Sequence, residues 1–307
     1  MKRFLLLAAL LCGTFLAAAQ TSKEDYLRRY SNLVGRVGAA GVGVETLLDN
    51  WAEAYPEDDQ QMLARFAFCF ARSQSSQVIQ LDKDRYLGNA PLVPMTDSLG
   101  NKRNYFEDIL FDDDLFADAL LNIDQAIAAK SWRLDYRFMK INAVLSYEKE
   151  SPDMTLQQLK ALVDEHFTRH PSWVYEGLDK IGDEEFCAFM QDYCATLFRL
   201  GSDTSAEAFK SLSEHMLKYR KNDPLFLNNV GSYWLVKKEY KKAIKQYDAI
   251  VKKHPDDITA IKNGMLCGRA AKDTKIEKKY LALMAKYGET ETDRLSAQTK
   301  LDAMGKK

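Results

Sequence analysis

Apolar residues recur at three- and four-residue intervals along most of this chain, the spacing that gathers side chains on one face of an α-helix. In 240–251, Tyr240, Ala243, Ile244, Tyr247, Ile250 and Val251 form one stripe, while Lys241, Lys242, Lys245 and Gln246 face away. Leu156, Leu159, Leu162, Val163 and Phe167 repeat the pattern, as do Leu134, Phe138, Ile141 and Leu145. The periodicity predicts about a dozen helices or slightly more between Ser22 and Met304, mostly joined by short turns. Several stretches end alike, in EAYPED, TRHPSW, RKNDPL and KKHPDD. Proline stops a helix because its ring removes a donor and clashes with the preceding turn, and an Asp beside it can cap the next helix. The alternation of helix, short turn, helix and proline-marked turn is the signature of stacked helical hairpins.

One frame is sharper than the rest. With Pro224 as position 1, Leu227 stands at 4, Val230 at 7, Gly231 at 8, Trp234 at 11, Ala243 at 20, Tyr247 at 24, Ile250 at 27 and Pro255 at 32. Segment 224–257 thereby resembles a tetratricopeptide repeat. Gly231 and Ala243 are small where two helices of a hairpin would cross, and Leu227, Trp234 and Tyr247 are large where hairpins would pack. Residues 258–291 continue the period, but Met265 falls at the glycine position and Glu277 at the alanine position. Segment 183–220, with Ala208 and Leu212 near positions 20 and 24, and segments 132–170, 41–56 and 58–72 read as degenerate repeats. The helix near 291–304 suits an end cap.

The expected fold is therefore all-α, a right-handed superhelical solenoid of tetratricopeptide-like hairpins. Its segments are 1–19, a signal peptide; 20–72, degenerate helical repeats; 73–113, an insertion loop; 114–220, further degenerate repeats; and 221–307, repeats with a capping helix. The stretch 81–114 is long for a connection in a compact domain. Its turn-like Asp97-Ser98-Leu99-Gly100-Asn101 predicts a short β-hairpin at about 86–106.

The first residues, MKRFLLLAALLCGTFLAAAQ, carry a positive pair, an apolar run from Phe4 to Leu16, and small residues at 17–19. That pattern predicts an exported chain, periplasmic or secreted and soluble after cleavage near Ala19, with no transmembrane segment. Leu11 before Cys12 is too large for a lipid-attachment box. The other cysteines are Cys69, Cys187, Cys194 and Cys267. Cys187 and Cys194 share one predicted helix about 10.5 Å apart, beyond disulfide reach, so the four read as buried apolar residues.

Charge divides unevenly, with a net of −13 over 20–217 and +10 over 218–307. Such asymmetry suits an interaction surface or head-to-tail self-association into a homo-oligomer. No HExxH, GxSxG, phosphate-binding glycine loop or paired CxxC occurs, and the residues point to no catalytic group, metal or cofactor. His166 and His170 lie four apart but lack a third ligand, and Asp112, Asp113 and Asp114 suit a helix N-terminus.

The resemblance implies that the first helix of each pair lines a groove. It would present Asn228, Asn229 and Ser232 there, joined by Lys262, Asn263 and Arg269 from the next unit. Asn and Lys in such places are similar to repeats that clamp a peptide carboxylate. Arg133, Arg137 and Lys140 form a second basic row, able to hold a carboxylate or to pair with acidic neighbours. The function these features favour is a non-catalytic scaffold or adaptor for a protein or peptide, with no nucleic-acid partner. Two alternatives stay open: an enzyme or ligand-binding protein with its site between the repeats and 81–114, and a structural subunit of a cell-envelope complex.

Overall fold

The computed structural model describes residues 21–178 and 180–305. The expected leader, with its cleavage site near Ala19 and Cys12, lies outside the described residues. Among those described, thirteen helices and a two-stranded antiparallel sheet make the fold mostly helical. No described helix is long and apolar enough to cross a membrane.

Contacts divide the chain into two units, 1–73 with 112–129, and 74–111 with 130–307. The first contains α1 (Lys23–Val37), α2 (Val44–Ala54), α3 (Asp59–Arg72) and α4 (Asp113–Ala129). Val44, Leu48 and Trp51 are buried on one face of α2. The Trp51 ring stacks on Tyr26 at 5.8 Å, and its Nε1 donates to Asp58 at 3.1 Å. Phe70 of α3 meets Phe116 of α4, so α4 packs with helices that precede the insertion. The grouping by contacts thus differs from the division of the sequence at 113/114. The acidic run opens α4 as a cap, with Asp112 Oδ1 accepting from the Leu115 amide at 3.0 Å.

The second unit holds β1 (Gln74–Leu81), β2 (Asn104–Phe111), α5 (Leu134–Glu148), α6 (Asp153–Arg169), α7 (Asp183–Leu200), α8 (Asp203–Tyr219), α9 (Pro224–Val236), α10 (Tyr240–Lys253), α11 (Ile258–Ala270), α12 (Thr274–Tyr287) and α13 (Glu291–Gly305). Four hairpins, α5–α6 to α11–α12, follow one another, and α13 packs on α12. Asp223 and Asp257 cap α9 and α11. Lys238 and Lys272 take left-handed backbone at the two hairpin turns, φ 60° and 54°.

Two expectations need correction. The sheet's strands are Gln74–Leu81 and Asn104–Phe111, paired from Gln74 with Phe111 to Leu81 with Asn104. Between 86 and 106 the expected hairpin survives only as isolated bridges, Val93 with Tyr105 and Thr96 with Lys102, around the 97–101 turn. The polar first strand, QSSQVIQL, carries no apolar alternation; its side chains instead hydrogen-bond across the ladder, Ser76 to Glu107 at 2.8 Å and Gln77 to Asp108 at 3.0 Å.

The second correction concerns 258–291. The glycine of that hairpin is Gly264, one position before Met265. A Cβ there would lie 2.3 Å from the Tyr280 ring, as one on Gly231 would lie 2.5 Å from Tyr247. Glycine and tyrosine have each moved one residue earlier, preserving the close crossing. At the Glu277 position the small residue has changed helices: a Cβ on Gly268 would sit 2.5 Å from the Glu277 amide nitrogen.

Candidate functional site

The residues expected to line the groove on α9 and α11 have different fates. Asn229 and Gln191 of α7 exchange amide hydrogen bonds of 2.7 and 3.2 Å, tying one first helix to the next. Asn228 donates to Asp257, the cap of α11, at 3.3 Å, and its Oδ1 lies buried with no protein hydrogen-bond partner. Ser232 and Asn263 are half-buried beside the Tyr247 hydroxyl, where burial pushes the phenol pKa up. No hydrogen bond of ordinary geometry closes on that hydroxyl. Lys262 and Arg269 are exposed, paired with Glu289 at 3.5 Å and Glu277 at 3.3 Å.

The basic row on α5 is separate from these. Arg133 grips Asp135 with two bonds of 2.8 and 2.5 Å and stacks on Tyr136 at 4.4 Å. Arg137 pairs with Glu165 at 3.2 Å and covers the Trp173 ring at 4.9 Å. Lys140 lies half-buried one turn further along. Both guanidiniums are thus engaged by groups of the chain itself.

Concavity concentrates along the next turns of α5. A mostly apolar cleft of about 420 Å³ lies between the hairpin, with Leu87, Ile109 and Phe111, and α5, with Asn142, Leu145 and Lys149. Asp108 at its edge accepts from Lys149 at 2.7 and 3.0 Å, Gln77 at 3.0 Å and Tyr86 at 2.9 Å. Burial raises the Asp108 pKa, but these hydrogen bonds and the Lys149 charge outweigh it and hold the carboxyl below its usual range. Burial and the Asp108 bond push the Tyr86 phenol up.

A second cleft, of about 210 Å³, opens between α5 and α7. Phe138, Tyr175, Phe189 and Tyr193 wall it, with Asn142 and Asp192 among its polar groups. Exposed Asn142 lines both clefts, and its Oδ1 accepts from the Tyr193 hydroxyl at 3.0 Å. Of this set only Phe138 was visible in the sequence, as part of the α5 stripe; Asn142 and Asp192 carry no pattern.

A further cleft, about 810 Å³, is strongly polar and lies between hairpin residues 82–102 and the α7–α8 turn. Its charges largely neutralise one another, Lys83 with Glu150 at 2.8 Å and Lys102 with Asp84 at 2.6 Å. The four thiols among the described residues, Cys69, Cys187, Cys194 and Cys267, are buried and free. Burial pushes Cys187 and Cys267 up to about 11 and Cys194 to about 12, so they stay protonated and are poor nucleophiles. His166 is buried face to face with Phe186 at 3.8 Å, and burial lowers its pKa against the Asp183 bond.

No family model matches the chain, and no curated protein does. A solved structure from the functional characterization of Pseudomonas aeruginosa pilF aligns over 90% of this chain and 96% of its own at 10% identity, with a TM-score of 0.34. So distant a likeness carries no argument about fold or activity, and the helical-hairpin class rests on the chain's own packing.

Proposed function

We propose that the chain is an exported, non-catalytic scaffold that binds a protein or peptide along the first helices of its second unit. The observation carrying this reading is the pair of clefts that meet at Asn142, one mostly apolar and one walled by aromatic rings among polar groups. From Phe138 to Glu148, α5 rises about 15 Å, room for about four to five residues of extended peptide. Lys262, Asn263 and Arg269 add a polar and basic end on α11, and exposed charge contacts there would be salt-sensitive. The leader pattern at 1–19 supports export, which N-terminal sequencing of exported protein would check as a cut after Ala19.

The test is partner capture from the envelope fraction, followed by Asn142→Trp, which fills the junction from an exposed position. Binding should weaken at least tenfold, about 1.4 kcal/mol, with the fold retained and melting lowered only by the lost Tyr193 hydrogen bond. Lys262→Glu with Arg269→Glu should weaken an acidic partner further. Normal binding by all of these variants would defeat the reading.

A second reading, a ligand-binding protein, is favoured by the 420 Å³ hairpin cleft, which falls in the size range of small-molecule sites. Loss of binding on removal of 86–104, with the groove variants intact, would select it.

A further inference from the structure

The cleft between α5 and α7 has walls unlike those of the rest of the face. Buried Phe138 contacts three other rings, at 5.2 Å to Phe189, 5.5 Å to Tyr193 and 6.1 Å to Tyr175. Phe189 and Tyr175 lie 4.8 Å apart and are half-buried, leaving ring surface toward the opening. Asp192 and Asn142 supply the remaining polarity with Thr196, and no basic residue lines the cavity. Asp192 has no cationic partner among the described residues.

Aromatic faces carry negative quadrupole potential and attract a cation placed over them. Tyr175 and Phe189, half-buried over buried Phe138 and Tyr193, offer that potential beside the acceptors of Asp192, Asn142 and Thr196. A primary ammonium, strongly hydrated, would have its three N–H groups only partly satisfied by Asp192, Asn142 and Thr196 on one side of aromatic walls. A quaternary ammonium has no N–H to satisfy and gives up its hydration readily. The cavity of about 210 Å³ is larger than a single water's share of about 30 Å³ and below the usual drug-sized range. We propose that this aromatic pocket binds a small quaternary ammonium compound of the choline type, with the Asp192 carboxylate balancing its charge. The pocket is one of the two clefts of the peptide-scaffold reading, but choline binding is measured on the chain alone, so its failure and the failure of partner capture are distinguishable.

Titration calorimetry of the exported full chain with choline, and with its neutral isostere 3,3-dimethylbutan-1-ol, tests the proposal. Choline should bind saturably, with the isostere at least tenfold weaker. Glycine betaine, whose carboxylate meets Asp192, should also bind more weakly than choline. Phe189→Leu and Tyr175→Leu each remove a half-buried wall and should weaken choline at least tenfold. Asp192→Lys, an exposed change that spares the core, should do the same with melting unchanged. No choline saturation up to ~10 mM, tenfold above a millimolar Kd, would overturn the proposal. So would equal binding of the isostere, or unaltered choline binding by Asp192→Lys.

Discussion

In α9–α10 and α11–α12 a single added Cβ, on Gly231 or Gly264, would collide with a tyrosine ring at 2.5 or 2.3 Å. In α5 through α8 no helix contains a glycine, and the backbones of α5 and α7 hardly approach one another. Phe138, Phe189 and Tyr193 fill that space instead. First helices α9 and α11 do come close. The difference teaches how one hairpin plan yields both a tight stack and a cleft-bearing face. Small residues at crossings let backbones close, and large rings hold helices apart, leaving room that rings alone cannot fill.

If that contrast is right, removing volume should hurt α5–α8 and adding volume should hurt α9–α12. Phe138→Ala takes away the ring shared by three aromatic contacts and should cost about 3–5 kcal/mol by urea denaturation. A loss below about 1 kcal/mol would mean the ring cluster does not space the helices.

Asp108→Asn leaves Lys149 without its carboxylate beside the hairpin cleft. The Lys149 side chain is 24% exposed and that of Asp108 only 6%, so a cost of roughly 2–4 kcal/mol near neutral pH is expected, somewhat below that of a fully buried pair. The Asp108 pKa is depressed in the fold. Its contribution is therefore fully present above the unfolded value of about 3.9 and is lost as pH falls through the folded one. The gap between wild type and variant should narrow on acidification below about pH 4; a gap that widens would contradict the ion pair.

Ala243 is fully buried in the tight half. Ala243→Trp should cost on the order of 1–3 kcal/mol or more, whereas Ala249→Lys, on the exposed side of the same helix, should cost less. Equal midpoints would break the comparison.

Gly264→Ala should cost about 1 kcal/mol net, because overpacking against Tyr280 exceeds the gain in helix propensity. Tyr280→Leu should relieve the clash, so the double variant should fall short of additivity by about 0.5 kcal/mol or more. Strict additivity would place the crossing elsewhere. The smallest effect belongs to the solvated lysine face: Lys241→Glu with Lys245→Glu should shift stability by only about 0.5 kcal/mol.

The hairpin plan was legible because it rests on local repetition. Apolar stripes, capping aspartates and helix-ending prolines act within a few residues of one another, and α5 through α13 fall where those signals put them. Gly231 and Tyr247 were readable in one frame; Gly264 and Tyr280 were missed because a paired one-residue shift on two helices leaves the contact intact while spoiling the count. The first strand was missed because its partners are polar side chains on a strand thirty residues away. The surroundings of the residues expected to line a groove were the least legible part. Asn228 and Asn229 lie on the first helix α9, yet whether such amides face a ligand or bond Asp257 and Gln191 depends on how hairpins stack.

By itself, the order of residues determined helix, turn and hairpin, since these follow from neighbours along the chain. Only the tertiary structure decided that Phe138, Tyr175, Phe189 and Tyr193 share one cavity and that Asp108 meets Lys149. Those encounters depend on distances between helices and strands, which side-chain volumes from several elements set together.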